Sequence, residues 1–221
     1  NKRVFYLSLY PHLSHTTTVS AYKKFDDSFR ERWGHLDFTS TRIFSWWYQK
    51  PYLDYTSEEL SLSASRVLES YPNEPLTILV SAHGLPESYY LKGDPYIDEI
   101  KAHFSELKER VSTSLKDKKL IKNKGDISWN LSFQSRVGPV KWVTPYTEDL
   151  VKELAEKNKG HLLIYPVSFT SDHIETLYEM DVTVKDIALN SGFKTYQRVS
   201  AANNDPKLAD CLRQILLASG F

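Results

Sequence analysis

Short apolar runs alternate along the chain with longer segments in which apolar residues recur every three or four positions. The short runs predict strands at 4–9, 38–44, 76–80, 127–133, 162–167 and 195–199. The longer segments predict helices over about 19–32, 57–71, 95–115, 145–159 and 206–218, and a further helix opens near 172. Strands that alternate with such helices are typical of βαβ units, so the pattern predicts an α/β fold with an open parallel sheet.

The segment 46–57 separates the second predicted strand from the second long helix. Its aromatic cluster and Pro51 predict a loop over 46–51, and Thr56 or Ser57 is predicted to cap the helix, which then runs to about Tyr71. Asp94 and Pro95 predict the start of the next helix in the same way, as a cap followed by proline at the first helical position.

Polar loops follow four of the predicted strands, at 10–18, 81–86, 134–139 and 168–173. In an open parallel sheet, ligands bind beyond the carboxyl ends of the strands. We therefore expect all four loops to open on the same edge of one sheet and to form a site there.

Composition narrows the function classes. The chain has 28 acidic and 28 basic residues, and this zero net charge argues against a nucleic-acid partner. Cys211 is the single cysteine, which excludes a disulfide framework and Cys-based zinc or iron–sulfur sites and indicates a reducing compartment. No apolar run approaches the about 18 residues of a membrane span. Because an apolar strand begins almost at once after Asn1, the chain is predicted to be an internal fragment.

His83 is the first candidate for chemistry, since it comes directly after a buried strand. For His83 alone, a core histidine held by a backbone hydrogen bond is an equally good interpretation. Its place on the same edge as the loop at 168–173 favours a functional one. An imidazole with a pKa of about 6.5 accepts a proton near neutrality, and neutral imidazole is a common metal ligand.

The second candidate is the acidic stretch that opens the helix near 172. Three carboxylates at i, i+3 and i+7 are predicted to share one helical face: Asp172, Glu175 and Glu179. The apolar residues are predicted to pack against the sheet: Ile174, Leu177, Tyr178 and Val182. A solvated acidic face is the simpler alternative. However, no lysine stands four residues after Glu175 or Glu179 to offset the repulsion, and oxygen ligands of this kind suit a divalent cation.

Motifs for other chemistries are missing. The chain has no G-x-S-x-G, no P-loop and no G-x-G-x-x-G, so hydrolase, NTPase and dinucleotide-binding functions have no positive support.

Three motifs resemble the ferrochelatase family in order and spacing. They are SAHGLP at 81–86 with GDPY at 93–96, QSRVGP at 134–139 with Trp142, and FTSDHIETLYE at 169–179. The Tyr10-Pro11 strand end with its Ser/Thr cluster is also similar to the family. The resemblance covers the whole chain but only the carboxyl-terminal two-thirds of a ferrochelatase.

The resemblance implies Rossmann-like domains, with helices on both faces of each sheet and a porphyrin cleft between them. It implies insertion of Fe(II), as a substrate, into protoporphyrin or coproporphyrin to make haem, with no prosthetic group. The iron–sulfur cluster of some members is not expected, because Cys211 lies far from any multi-Cys pattern. By motif, His83 would be the catalytic base and a metal ligand, with Glu175 as its carboxylate partner. Asp172 and Glu179 would also bind metal, and Glu179 would lie on a helix that is locally of π type. Porphyrin would contact four further residues: Trp142, Tyr10, Pro11 and His173.

The chain departs from the family in two respects. Thr183 stands where many members carry a third acid, so the acidic row is shortened. The amino-terminal sister domain, which supplies the opposite wall of the cleft, is expected to be missing. Residues 1–200 would then form the carboxyl-terminal Rossmann-like domain, and 201–221 would pack against the missing domain. We expect this chain alone to bind porphyrin weakly and to turn over poorly.

Other functions remain open at this point: a cobalt or nickel tetrapyrrole chelatase, a non-catalytic tetrapyrrole- or metal-binding module, or a folded half whose site is never assembled. A regulatory divalent cation at the acidic helix is a further expectation. The expected location is the cytoplasm, with peripheral membrane contact as an option, or an organellar matrix in a eukaryote.

Overall fold

Strands and helices alternate along the residues that this computed structural model describes, which are 3–34, 38–123 and 126–221. The strands are β1 (Arg3–Leu7), β2 (Thr39–Ile43), β3 (Leu76–His83), β4 (Ile127–Gln134), β5 (His161–Pro166) and β6 (Thr195–Arg198). The helices are α1 (Ser20–Trp33), α2 (Lys50–Ser70), α3 (Glu87–Leu91), α4 (Tyr96–Asp117), α5 (Thr147–Lys157), α6 (Ile174–Leu177), α7 (Lys185–Ser191) and α8 (Pro206–Ala218). Two π-helical segments, His15–Val19 and Glu179–Val184, lead into α1 and α7.

The main sheet has four parallel strands in the order β4-β3-β5-β6. From β3 the chain moves outward to β4 and then returns across β3 to β5. The loops after the adjacent strands β3 and β5 therefore diverge, which creates the crevice where ligands bind in doubly wound sheets. The predicted α/β fold with an open parallel sheet is confirmed, and the pairing of β3 with β5 places the loops at 83–86 and 168–173 on the two sides of this crevice.

Helices cover both faces of this sheet. Ile78 and Val80 of β3 pack with residues of α2 and α4, whereas Leu79 faces the opposite way and packs with α5 and α7. This alternation follows from the two-residue period of a strand, and it explains why β3 is apolar almost throughout. The two cores fix the carboxyl ends of β3 and β5 on a rigid base.

β1 does not belong to the main sheet. Within the described residues it pairs in parallel with β2 alone, so the expectation that the loop at 10–18 opens from the same sheet as the other three is wrong. Tertiary hydrogen bonds bring that loop to the site instead. The buried Asp94 carboxylate accepts from Ser14 Oγ and from the His15 amide, both at 2.8 Å.

Helix α2 begins at Lys50, six residues before the predicted cap. Pro51 lies in its first turn, where the missing N–H costs no hydrogen bond. Thr56 is buried inside the helix, and its hydroxyl donates to the Tyr52 carbonyl at 2.9 Å. The cap prediction was wrong because a threonine hydroxyl can bond back to the preceding turn as well as cap a helix.

Helix α8 packs against α2. Leu208 and Ile215 are buried in a cluster with Trp46, Tyr52 and Leu53, while Leu217 on the same helix is exposed. One apolar face of α8 is therefore buried against other residues of this chain. The predicted domain division at residue 200 stays a prediction. Among the described residues, no helix is long and apolar enough to cross a membrane.

Candidate active site

His83 ends β3, and its ring nitrogen Nε2 has no hydrogen-bond partner within the part of the chain that the structure describes. Its Nδ1 lies 2.8 Å from the Gly84 carbonyl oxygen. Because a carbonyl only accepts, Nδ1 carries the proton in the neutral ring, and Nε2 keeps its lone pair. The backbone of His83 is held as well, since its amide donates to Ser168 Oγ at 2.9 Å and its carbonyl accepts from the Tyr96 hydroxyl at 3.1 Å. Nε2 is thus held in a fixed position with its lone pair available to accept a proton or bind a metal.

Gly84 joins the ends of β3 and β4. Its amide donates to the Gln134 carbonyl at 2.8 Å. A Cβ at this position would lie 2.7 Å from that oxygen and 3.0 Å from a ring carbon of Trp142. Only glycine allows the Gln134 carbonyl and the Trp142 ring to approach the backbone this closely, and Trp142 thereby lies against Gly84, directly after His83.

His173 and Glu175 open the short helix α6 after β5. His173 Nδ1 lies 2.7 Å from a Glu175 carboxylate oxygen and 3.4 Å from the Glu175 amide nitrogen. Nδ1 cannot donate to the carboxylate and accept from the amide at once, and the shorter contact to the carboxylate decides. The imidazole therefore orients the Glu175 carboxylate. Phe169 packs edge-on against His173, with ring centroids 4.7 Å apart.

Two hollows meet at His83 and Glu175. The first is a cavity of about 280 Å³ lined by residues of three loops, among them five predicted site residues: Tyr10, Pro11, His83, His173 and Glu175. The second is more open, and its lining includes four predicted residues: His83, Trp142, Glu175 and Glu179. Of the predicted site residues, Asp172 alone lines neither hollow. The geometry thus forms one continuous cleft with His83 and Glu175 at its centre.

The helix that carries the carboxylates has straight rows of residues four apart. Glu175, Glu179 and Thr183 all line the second hollow. Thr176, Met180 and Val184 are buried on the inner side. Four residues slightly exceed one α turn and fall short of one wider π turn, so the α turn at α6 and the π turn after it offset each other's drift and keep the three side chains on one side.

The apolar face was predicted wrongly. The four residues that were expected to pack against the sheet are exposed, two of them by 73% and 62% of their surface (Ile174 and Tyr178), together with Leu177 and Val182. Periodicity grouped these four residues on one face correctly, but the face that packs inward carries Thr176, Met180 and Val184 instead. This part of the cleft rim is therefore apolar and open.

Asp172 precedes α6 and takes no part in the carboxylate row, so the interpretation that it shares a face with Glu175 and Glu179 is wrong. Its carboxylate accepts from Arg198 at 2.7 Å and from the Asn203 amide group at 2.8 Å. Burial by itself would raise the pKa of Asp172, but the Asn203 hydrogen bond and the Arg198 charge outweigh it and lower the pKa. Asp172 is a structural anion, and its predicted role as a metal ligand gains no support.

Arg198 also forms two hydrogen bonds of 2.8 Å to the Asp181 carboxylate. Arg198 therefore neutralises Asp172 and Asp181 from β6, a strand that no helical pattern could point to.

Among the described residues, no three His, Cys, Asp or Glu side chains converge closely enough to hold a metal ion. A regulatory cation at the acidic helix therefore stays a prediction.

A family model described as Ferrochelatase matches residues 1–219. The chain belongs to the ferrochelatase family. It is 36% identical over 213 residues to a ferrochelatase of Nostoc punctiforme, covering 96% of this chain and 51% of that protein. It is also 36% identical to the chloroplastic ferrochelatase-2 of Arabidopsis thaliana, covering 96% and 40%. A ferrochelatase of Geotalea daltonii is 33% identical, with 97% and 61% covered. The chain thus spans about half the length of the curated relatives it matches.

Several residues that support this ferrochelatase-family cleft were not predicted. Asp94 was predicted to cap α4 with Pro95 at the first helical position, but Pro95 is the N-cap residue of α4. One Asp94 oxygen accepts from the Tyr96 amide at 3.0 Å, and its other oxygen holds the loop after β1. Ser168 and Tyr96 stand in segments that the sequence singled out, but their hydrogen bonds to the His83 backbone, across 85 and 13 residues, were not predicted.

A buried histidine pair also escaped prediction. His12 Nε2 and His103 Nδ1 are 3.0 Å apart, and both rings are almost fully buried. Burial and the neighbouring His103 hold the pKa of His12 well below its usual range, and burial lowers the pKa of His103 to about 3. A signal existed, since His103 stands between Ile100 and Leu107 in the apolar period of its helix.

Proposed function

We propose that this chain provides the catalytic wall of a ferrochelatase, which inserts Fe(II) into a porphyrin to make haem. The observation that carries the proposal is the free Nε2 of His83, which lies at the junction of the two hollows with the Glu175 carboxylate. Family membership supports the reaction class.

The reaction requires a base and a route for the metal. Each of two pyrrole N–H bonds breaks and leaves its electron pair on nitrogen, and Fe(II) takes the place of the two protons. His83 Nε2 accepts a pyrrole proton, and the resulting imidazolium passes it to the Glu175 carboxylate or to water. General base catalysis by a positioned histidine contributes about 10²–10⁴-fold to a rate.

Glu175 and Glu179 form the metal side of the cleft, since both line the second hollow. Fe(II) is a substrate and has to leave the protein for the macrocycle. A site with few protein ligands suits this purpose better than a closed cage, because tight coordination would oppose transfer.

The porphyrin is expected to contact the residues on both sides of this pair. Trp142 lines the second hollow, which Glu179 also lines. Tyr10, Pro11 and His173 line the first, the cavity of about 280 Å³. A part of the family's length beyond this chain supplies the facing wall. We place the reaction in the cytoplasm, with peripheral membrane contact as a further expectation, or in an organellar matrix in a eukaryote.

The test uses a polypeptide extended to the length of the relatives, with insertion of Fe(II) and Zn(II) into porphyrin followed by absorbance and fluorescence. His83→Ala is expected to lower insertion by at least about a hundredfold, since it removes the base. His15→Ala is the matched control, because His15 is exposed and lines neither hollow.

Insertion that persists in His83→Ala at the rate of the control would contradict the proposal. A non-catalytic binding module would instead insert no metal, either unsubstituted or as His83→Ala, and His83→Ala would keep the porphyrin affinity of the unsubstituted protein. Insertion of Co(II) or Ni(II) in preference to Fe(II) would favour the other chelatase class.

A further inference from the structure

Ser135, the first residue after β4, has a strained backbone and holds a carboxylate with two donors. Its φ is +63°, in the left-handed region that residues other than glycine, asparagine and aspartate seldom adopt. In this conformation its amide donates to Glu179 Oε1 at 2.7 Å and its hydroxyl to Glu179 Oε2 at 2.5 Å. Strain of this kind persists where the surrounding structure enforces it, often at functional sites.

Gln134, the last residue of β4, holds the backbone of Ser135 in this conformation. It is buried, and its side-chain oxygen accepts from Ser81 Oγ at 2.9 Å, inside the sheet. Its side-chain nitrogen donates to the Glu175 carbonyl at 3.1 Å. The end of β4 is thereby tied to β3 and to the first turn of α6, so Ser135 starts from a rigid frame.

We propose that Ser135 is a positioning residue that holds the Glu179 carboxylate in place to receive the divalent cation on its way to Glu175 and His83. The proposal rests on the proposed function and assigns a part to the loop that follows β4. Each carboxylate oxygen accepts one hydrogen bond from Ser135 and retains capacity for a cation.

The row formed by Glu175, Glu179 and Thr183 has only two carboxylates, which makes the contact between Ser135 and Glu179 more important. Thr183 lines the same hollow as Glu175 and Glu179 but offers no charge. Glu179 is therefore the last carboxylate in the row, and a freely rotating side chain there would present the cation with no fixed ligand. Groups that orient a metal ligand without touching the metal typically change metal affinity or activity by about 10–100-fold when they are removed.

Two substitutions separate the hydroxyl from the backbone strain. Ser135→Ala removes the hydroxyl and keeps a side chain at positive φ, whereas Ser135→Gly removes the hydroxyl and relieves the strain. In the extended polypeptide, both are expected to raise the apparent KM for Fe(II) and Zn(II) by about tenfold. The KM for porphyrin is expected to stay within about twofold, because Ser135 acts through Glu179.

A double-substitution cycle identifies the partner. In a Glu179→Gln background, Ser135→Ala is expected to change the metal KM by less than about twofold, since there is no carboxylate left to hold. The proposal is overturned if Ser135→Gly keeps the wild-type metal KM, if the porphyrin KM rises instead, or if the effect of Ser135→Ala is unchanged in the Glu179→Gln background.

Calorimetric titration with Co(II) alone distinguishes this inference from the proposed function. If the unsubstituted protein inserts no metal, the proposed function fails, yet the same variants still test whether Ser135 sets the affinity for a divalent cation. Weaker Co(II) binding in both Ser135 variants supports the inference, and unchanged binding overturns it.

Discussion

The imidazoles of His12 and His103 show what burial does to a titratable residue in this protein. The two rings share one hydrogen bond, and Trp47 stacks on both, with centroids 6.1 and 5.2 Å away. Their outer nitrogens, His12 Nδ1 and His103 Nε2, have no hydrogen-bond partner among the described residues. A proton on either ring would place an unpaired charge in the core, so both rings are neutral.

This neutrality predicts a loss of stability in acid. In the unfolded chain both imidazoles bind protons below their ordinary pKa of about 6.5, whereas in the folded chain they do so only at much lower pH. Burial of the two neutral rings therefore does not lower the free energy of unfolding above about pH 6.5. As the pH falls toward the folded pKa, only the unfolded chain gains these protons, and the free energy of unfolding drops by about 2 kcal/mol per imidazole at pH 5.

His103→Gln is expected to reduce this dependence, because the amide can still bond to His12 but takes up no proton. The measurement is the free energy of unfolding from pH 7 to pH 4.5. His15→Gln, at the exposed start of the π-helical segment His15–Val19, is the control and should keep the wild-type slope. Equal slopes for the wild type and His103→Gln would refute the explanation.

At the residue scale, much of the candidate site could be predicted from sequence. His83 and Glu175 lie together because each follows the carboxyl end of a buried strand, a relation that apolar runs reveal. Which ring nitrogen of His83 carries the proton could not be predicted, since it depends on the contact between Nδ1 and the Gly84 carbonyl in the turn. Ser135 and Asp94 were missed for a related reason: their partners lie 44 and 80 residues away.

At the scale of elements, the segment 174–184 shows where periodicity fails. The sequence predicts a helix there correctly and groups its apolar residues on one face, but that face is exposed, and the buried face carries Thr176, Met180 and Val184. A π-helical segment has no composition of its own that a sequence pattern could detect. The Arg198 tether could not be predicted either, because it joins β6 to Asp172, just before this segment, and to Asp181 within it, both distant in sequence.

Arg198→Met is expected to destabilise the protein by about 2–4 kcal/mol, because it leaves two partly buried carboxylates without their cation. The Arg198 side chain is only 7% exposed, so water cannot replace it readily. Unfolding by urea measures the loss, and hydrogen exchange at the Glu175 and Asp181 amides shows whether the segment opens locally.

Arg213→Met is the matched control, since Arg213 forms an exposed pair with Asp210 three residues earlier on α8. Such pairs contribute about 0–1 kcal/mol. If the two arginine variants lose similar stability, the Arg198 tether does not hold the carboxylate helix.

At the scale of the whole molecule, the α/β architecture could be predicted, but the assembly of the cleft could not. Alternating strands and helices require a parallel sheet with covered faces, and the sheet order follows the doubly wound pattern. The position of the loop after β1 is set instead by contacts with Asp94 and Glu99 on the other side of the cavity. Contacts of this type arise only once the chain has folded.

The shape of the cleft predicts that these 221 residues alone are a poor enzyme. The cavity beside His83 holds about 280 Å³, whereas ligand sites of small molecules usually enclose about 300–1,000 Å³. The rim at Ile174, Tyr178 and Val137 is exposed and apolar, so a planar ring would remain open to water on one side. Binding that excludes water from only one face loses much of the apolar burial that drives association.

We therefore expect the isolated chain to bind porphyrin at least about tenfold more weakly than a polypeptide extended to the length of the relatives, a difference of about 1.4 kcal/mol. Zn(II) insertion, followed by fluorescence at matched concentrations of the two proteins, should show a turnover that is lower still, because positioning of the ring contributes to the rate as well as to binding. His83→Ala in both proteins separates insertion at the cleft from spontaneous metalation. Turnover of the isolated chain equal to that of the extended polypeptide would mean that the wall described here is sufficient to hold and metalate the ring.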